Sequence, residues 1–386
     1  MKIVLVSDTH LGIGDSLLPS AALQERRRWL RQAFAASVAF CIENRAAAYL
    51  HAGDLFDTPE PDADELAAVS RELLKLRHAG IPAFFVAGDH DVTADENDAP
   101  GLRALYEAGL ALFLPATLKG RTLGRVPDRC PVVLDGEGTR IAVYGVSWTR
   151  ELADLSPATA ASMKLRGWSG VNLLLIHAPV KGGPVSWPAG VVNGDVIAAG
   201  HEHQQAMFRT ATGLVLVPGS TERVLLPDEA ELTPGFWVLT VRGRDVSAAR
   251  VQTPTQPLRR IILEASDVCG EDPTTAILDE VSRSSQSDQF LYLVVRGEML
   301  QDVFRAVRWG MVAEKGSAEN AHFAMDTRHL RVVSHDGEIA LSGPVSPRRE
   351  IEVAAEEACR SAEDESEAAV IREARDLLLS KYLPAV

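Results

Sequence analysis

The chain has 386 residues, which is more than one ordinary core holds and predicts two or three domains of roughly 150 residues each. Its 46% hydrophobic and 24% charged residues are typical of a globular protein and exclude the disordered and collagen-like classes. The formal net charge of -14 argues against a protein that coats nucleic acid, because such binding depends on Lys and Arg neutralising phosphates. A local, metal-assisted contact with a phosphate stays open.

The cysteines and the apolar runs bear on the cellular compartment. Cys41, Cys130, Cys269 and Cys359 form no CxxC pair, which disfavours both a disulfide framework and a cysteine zinc site. The sequence has no apolar run of about 18 residues and no apolar signal-peptide region. We therefore expect a cytoplasmic protein that does not contact a membrane.

The first ninety residues alternate between apolar runs typical of buried strands and amphipathic patterns typical of helices. Strands are predicted at 2–7, 48–52 and 82–87, and helices at about 20–45 and 63–78. This order predicts an α/β core in which each strand runs into a polar cluster. Because ligands of open α/β sheets gather beyond the carboxyl ends of the strands, we expect the three clusters to meet in one crevice.

The rest of the chain divides at a linker. Strand patterns return at 131–134, 139–148, 171–176, 196–199, 213–217 and 235–241. Residues 252–257, Gln-Thr-Pro-Thr-Gln-Pro, are typical of a linker, and strand and helix patterns alternate again after it. We therefore expect three parts: a first domain over 1–251, a small α/β domain over 258–342, and a charged helical tail over 347–386.

Five of the ten histidines follow strand patterns, beside carboxylates or glycines. These histidines and the nearby carboxylates are His10, His90, His177, His201, His203, Asp8, Asp54 and Asp89. A lone Asp-x-His is often met by chance, but the whole ordered set predicts a metal site. Imidazole and carboxylate donors without thiolates suit Mn, Fe or Zn, and bridging carboxylates allow two ions about 4 Å apart, as in phosphoryl-transfer enzymes.

The ordered motifs Asp-x-His, Gly-Asp, Gly-Asp-His-Asp, His and Gly-His-x-His resemble those of the calcineurin-like metallophosphoesterases. Within that superfamily the chain is most similar to the SbcD-type nucleases, relatives of the meiotic-recombination-eleven nuclease. Its extended matches are Ser7–Gly12, Gly53–Asp57 and Pro218–Arg223, and the similarity covers about residues 1–250. The resemblance implies an α/β metallophosphoesterase fold of two packed mixed β-sheets flanked by helices.

The resemblance also implies roles for the strand-end residues. One ion would be held by Asp8, His10, Asp54 and His203, and the other by Asp54, Asp89, His177 and His201. His90 would stabilise the transition state or protonate the leaving oxygen without binding metal. Its neighbour Asp91 would orient it, as carboxylates commonly orient working histidines.

One residue departs from the family pattern, because Asp89 stands where the family carries Asn. Two divalent ions bring four positive charges, and Asp8, Asp54 and a bridging hydroxide would cancel three of them. Asp89 would cancel the last, so the site should attract an anionic phosphodiester less strongly. We expect an altered metal preference or a reduced rate, with binding retained.

By resemblance, the leading functional hypothesis is a Mn-dependent DNA nuclease with 3′-to-5′ exonuclease and single-strand endonuclease activity. It would be the nuclease subunit of a double-strand-break repair complex, with an SbcC-type coiled-coil ATPase bound to the C-terminal helices. The small second domain would cap the active site and select DNA ends, and the subunit would form a homodimer.

A basic run is the candidate DNA contact, although such a run is more often a solvated helix face. It consists of Arg26, Arg27, Arg28 and Arg31. Since the chain is acidic, we expect tight DNA binding to require both metal and a partner.

Two other hypotheses stay open. The same metal site can act on a small phosphoester or a cyclic nucleotide, which the acidic charge favours and the second domain disfavours. The chain can also be a scaffold subunit whose metal site has weakened.

Overall fold

The computed structural model describes residues 1–14, 18–94, 96, 98–114, 117–118, 121–122, 132–136, 138–150, 170–180, 195–209, 213–268, 272–334, 355, 359 and 368–375. Its contacts divide the chain into two compact units, Met1–Leu258 and Arg259–Val386. The division falls at the end of the predicted linker.

The first unit contains fourteen strands and three helices among the described residues. In chain order the strands are β1 (Lys2–Val6), β2 (Ala48–His51), β3 (Ala83–Phe85), β4 (Leu112–Phe113), β5 (Thr117–Leu118), β6 (Arg121–Thr122), β7 (Val132–Gly136), β8 (Thr139–Val146), β9 (Val171–His177), β10 (Val196–Gly200), β11 (Ala206–Arg209), β12 (Leu214–Val217), β13 (Gly235–Arg242) and β14 (Asp245–Gln252). The helices are α1 (Ser20–Glu43), α2 (Ala63–His78) and α3 (Pro100–Glu107).

Two six-stranded mixed sheets form the centre of this unit. The first has the order β14-β13-β1-β2-β3-β4, and the second has the order β11-β12-β10-β9-β8-β7. In the first sheet β1, β2, β3 and β4 are parallel, and in the second β8, β9, β10 and β12 are parallel. The carboxyl ends of the parallel strands in each sheet therefore share one edge of that sheet.

The core consists of two main layers. One buried cluster joins the facing sides of the two sheets, with Leu5 and Leu50 from the first and Leu175 from the second. Another cluster lies between the first sheet and its helices, where Phe34 of α1 and Leu73 of α2 are buried. This is the predicted architecture of two packed mixed sheets with flanking helices, and it is confirmed.

The second unit is a small α/β body. Its elements are β15 (Leu258–Glu264), α4 (Pro273–Ser284), β16 (Phe290–Leu300), α5 (Gln301–Ala306), α6 (Trp309–Glu319) and β17 (His322–Val333). The sheet order is β15-β16-β17, with β16 and β17 parallel. Helix α6 and strand β17 were not predicted from the sequence.

Parts of the predicted organisation lie outside the described residues. These include 335–342 at the end of the second domain and most of the 347–386 tail, of which 355, 359 and 368–375 are described as helical. Cys41 and Cys359 are free thiols, whereas Cys130 and Cys269 are outside the described residues. None of the described helices combines the length and apolar character that a bilayer crossing requires.

Candidate metal centre

The predicted strand-end residues meet at one edge of the sandwich. Asp8 follows β1, Asp54 follows β2, and Asp89 follows β3, all in the first sheet. His177 is the last residue of β9, and His201 directly follows β10 in the second sheet. Parallel pairing within the two sheets thus brings side chains from five separate segments together, whereas the strand ends alone predicted a crevice formed by the three clusters after β1, β2 and β3.

The backbone at this edge is strained. Among non-glycine residues, φ is 49° at Asp8, 48° at His10, 54° at Asp54 and 90° at His201. Residues other than glycine rarely adopt a positive φ. Such backbone strain concentrates at functional sites. A Cβ on Gly88 would collide with the Asp54 carboxylate, so only glycine allows this close approach.

One group of donors contains Asp8, His10 and His203, whose ligand atoms lie within 4.8 Å of one another. The His10 and His203 rings meet edge to face, with centroids 5.1 Å apart. Asp8 and His10 are 0% and 2% exposed, respectively. These residues come from the set that resemblance assigned to one ion.

A second group contains Asp89, His177 and His201. Oδ1 of Asp89 lies 2.9 Å from Nε2 of His177 and 3.1 Å from Nδ1 of His201. The ring of Trp148, which follows β8, stacks on His201 with centroids 5.2 Å apart. The sequence did not single out Trp148, because no motif marks an aromatic side chain packed against a ligand.

Asp54 lies between the two groups. Its Oδ2 atom is 3.5 Å from Nε2 of His10 and 3.4 Å from Nε2 of His177. Burial acts to raise the pKa of Asp54, but the neighbouring histidines, with His177 foremost, outweigh it and lower the pKa to about 2. An ionised carboxylate in this position suits a bridging ligand.

Three histidines have their Nδ1 atoms engaged away from the centre. Nδ1 of His10 lies 3.0 Å from Oδ1 of Asp57, and Nδ1 of His203 lies 2.5 Å from Oε1 of Glu229. Nδ1 of His177 is 2.7 Å from the Ala52 carbonyl oxygen, to which it donates. Such partners fix the ring orientation and leave Nε2 for a metal.

Unsatisfied buried atoms test whether the site fits a cation. Oδ2 of Asp8 and Nε2 of His10 are buried without a hydrogen-bond partner. Buried polar atoms are normally paired, so these two point to a missing positive partner. Burial raises the pKa of Asp8, because desolvation disfavours the charged carboxylate. A bound cation would stabilise the charged form instead. The residues therefore fit divalent metal ions.

His90 lies beside this cluster, and its side chain is 44% exposed. Its Nδ1 donates to the Asp57 carbonyl oxygen at 3.0 Å and is 3.7 Å from the Asp57 carboxylate. Burial opposes the charged form of His90, but the carboxylates of Asp54 and Asp57 outweigh it and raise the pKa. The geometry leaves Nε2 of His90 to exchange a proton.

The expected role of Asp91 in orienting His90 is wrong. The Asp91 carboxylate is 1% exposed and accepts from the backbone amides of Leu55, Phe56 and Gly88 at 2.9 to 3.3 Å. Burial and the charge of Asp54 raise the pKa of Asp91 to about 7. Asp91 therefore holds together the loops after β2 and β3, and Asp57 orients His90.

The basic run on α1 is largely engaged within the protein. Arg26 is 2% exposed and donates to the Gln256 side chain at 3.2 Å, so its predicted DNA contact is wrong because a phosphate cannot reach it. Arg31 makes a bidentate pair with Glu65 at 2.6 and 2.8 Å. Arg27 donates to the backbone oxygens of residues 12 and 13, and Arg28 pairs with Glu25. DNA contact by Arg27, Arg28 and Arg31 stays a prediction.

This fold and this donor set are those of a metal-dependent phosphoesterase. The family model for calcineurin-like phosphoesterases matches residues 1–205, and the chain belongs to that family.

Curated relatives with matching sequences include two called DNA double-strand break repair protein Mre11. The one from Methanosarcina mazei is 24% identical over 317 residues, covering 74% of this chain and 46% of its own length. The one from Sulfurisphaera tokodaii is 27% identical over 237 residues, covering 60% of this chain and 56% of its own length. The chain therefore spans about half the length of these relatives.

Solved structures to which this chain has some similarity include the protein TT1561 of Thermus thermophilus, with 15% identity and a TM-score of 0.36. That match covers 64% of this chain and 98% of the other. A dimetal phosphatase from Danio rerio has 11% identity and a TM-score of 0.37, and the match covers 65% of this chain and 96% of the phosphatase.

Proposed function

We propose that the protein is a metal-dependent DNA nuclease that hydrolyses phosphodiester bonds during double-strand-break repair. The observation that carries this proposal is the meeting of seven nitrogen and oxygen donors, in two groups with Asp54 between them, at one sheet edge. The curated relatives named for double-strand break repair support the choice of DNA as substrate.

Two divalent ions, most suitably Mn with Fe or Zn as alternatives, would be held by the residues of this edge. The donors would be Asp8, His10, Asp54, Asp89, His177, His201 and His203. When bound, the ions would supply electrophilic charge to the reacting phosphate oxygens and acidify water.

The protein's own side chains would position the substrate and move a proton. The Asp57 carbonyl oxygen accepts from Nδ1 of His90, so the imidazolium proton available for transfer is on Nε2. His90 can therefore donate a proton from Nε2 to the leaving oxygen of a phosphodiester as the bond breaks.

The test compares substrates under identical conditions. The full chain, loaded with Mn²⁺, is given linear duplex DNA labelled at either end, bis-p-nitrophenyl phosphate and a cyclic nucleotide. We expect DNA to be shortened, with the labelled products giving the 3′-to-5′ polarity, and Asp54→Asn to abolish the activity. Hydrolysis of the cyclic nucleotide alone would contradict the proposal.

The net charge of -14 favours a second candidate, a phosphodiesterase of small substrates. Such a substrate does not need an extended basic surface, whereas DNA held tightly does. The same substrate comparison separates the two candidates.

The proposed nuclease would act with partners. An SbcC-type coiled-coil ATPase would bind the helical tail at 347–386, the small domain over 258–342 would select DNA ends, and two copies would form a homodimer. Because the chain is acidic, DNA affinity in a gel shift should rise when metal and the ATPase are added. Equal affinity for the isolated chain would contradict the need for a partner.

A further inference from the structure

A second cleft opens at the end of the first unit opposite the candidate metal centre. It is lined by the start of β1, the segment after α1, the β7 to β8 hairpin and the end of β13, and it encloses about 460 Å³. Because a strand rises about 3.3 Å per residue, Lys2 in this cleft lies roughly 20 Å from Asp8. The cleft is therefore separate from the donor cluster.

Three cationic side chains from three different elements line the cleft: Lys2, Arg45 and Arg242. All three residues are exposed, and none forms an ion pair with a carboxylate in the described part of the chain. Lys2 donates to the Asn44 side chain at 3.3 Å. Asp135 brings a carboxylate to the lining, but it is paired with Arg140 at 2.9 Å. The cleft thus concentrates positive charge in a chain of net charge -14.

Arg45 also has an unusual backbone conformation. Helices α1, α2 and α3 end in the same hydrogen-bonded motif, in which the second residue after the helix has a positive φ. This residue is Gly80 after α2, with φ of 73°, and Gly109 after α3, with φ of 66°. After α1 it is Arg45, with φ of 50°. Glycine is the favoured residue there, so the arginine adopts a backbone conformation that costs stability.

We propose that this cleft binds an organic phosphate of nucleoside diphosphate size. Pockets of about 300 to 1,000 Å³ are typical for small ligands, and this cleft lies within that range. Three cations match the charge of a diphosphate, and guanidinium groups bind phosphate oxygens with paired hydrogen bonds. The Asn44 and Thr240 side chains line the same cleft and offer neutral donors and acceptors for the rest of the ligand.

The test is calorimetric titration of ADP into the full chain at low ionic strength, with EDTA present to keep the metal centre out of the measurement. We expect binding by the unmodified protein and at least a roughly tenfold weaker affinity in Arg45→Gly and Arg242→Gln, since each loses a charged hydrogen-bond donor. Arg45→Gly relieves the positive φ, so its thermal unfolding temperature should not fall. Loss of binding would then not be a folding defect.

The matched control is Arg209→Gln, an exposed arginine on the edge strand β11 without an ion pair among the described residues. It should bind ADP like the unmodified protein. No ADP binding, or binding equally strong in all three variants, would overturn the proposal. If inorganic phosphate bound as tightly as ADP, the proposal of a nucleotide-sized ligand would be wrong. If a DNA oligonucleotide bound and ADP did not, the proposal of a small organic phosphate would be wrong.

Discussion

Nδ1 of His203 lies 2.5 Å from Oε1 of Glu229, a carboxylate 26 residues further along the chain. The other oxygen of Glu229 accepts from the Val224 amide at 2.6 Å. Burial acts to raise the pKa of Glu229, but His203 outweighs it and lowers the pKa. Glu229 therefore anchors the His203 ring to the backbone of its loop and keeps Nε2 directed to the centre.

Glu229→Ala should weaken metal binding by about 10- to 100-fold, because outer partners of metal-bound histidines contribute on that scale. Titration of the metal-free chain with Mn²⁺ measures this affinity. Glu231→Ala, an exposed residue of the same loop, is the control and should leave it unchanged. An unaltered affinity in Glu229→Ala would show that His203 is held by other contacts.

Asp89→Asn should change both metal dependence and substrate affinity. The change removes one negative charge that lies 2.9 Å from Nε2 of His177, so the site becomes more attractive to a phosphodiester. Two unit charges 4 Å apart interact by about 4 kcal/mol at an effective dielectric constant near 20, which is an upper bound, so we expect KM to fall by at least roughly tenfold. The Mn²⁺ dependence of the rate and the KM for DNA are measured together. An Asp89→Asn variant in which neither quantity changes would contradict this effect of the Asp89 charge.

His90→Gln should lower kcat by about 10²- to 10⁴-fold on DNA, the usual range for a general acid. Its metal content, measured in parallel, should not change, because Nδ1 of His90 is already engaged by the Asp57 carbonyl oxygen. The loss should be smaller on bis-p-nitrophenyl phosphate, whose leaving group needs no proton. An equal loss on both substrates would contradict a proton-donating role.

Asp91→Asn should act on stability first. An amide has one accepting oxygen, so at least one of the three backbone amides now bound by Asp91 would lose its partner at a cost of about 1–3 kcal/mol. Thermal unfolding of the metal-free chain measures the cost, with Asp64→Asn at the exposed start of α2 as control. An unfolding temperature of Asp91→Asn equal to that of the unmodified chain would contradict the role of Asp91 in holding the two loops together.

The site was predictable because its donor residues follow strands directly in the sequence. Asp8, Asp54 and His177 each follow or end an apolar run, and parallel strands bring such ends to one edge. The outer partners were not predictable. Glu229 lies in an irregular loop, and the Ala52 carbonyl that holds His177 carries no side-chain signal at all.

The errors have similar physical causes. The charged run on α1 looked like a solvated face, but Arg26 points inward to Gln256, a contact across 230 residues. Strand β14 alternates between exposed and half-buried residues because it is an edge strand, so its apolar pattern is weak. Helix α6 has only two buried residues, Val312 and Gly316, and lacks the apolar stripe that reveals a helix.

Anomalous diffraction from crystals grown with Mn²⁺ would locate the ions at this sheet edge without reference to any substrate. We predict two peaks about 4 Å apart, with Asp54 contacting both, one near His10 and His203 and the other near His177 and His201. A single peak, or manganese bound away from this sheet edge, would contradict it.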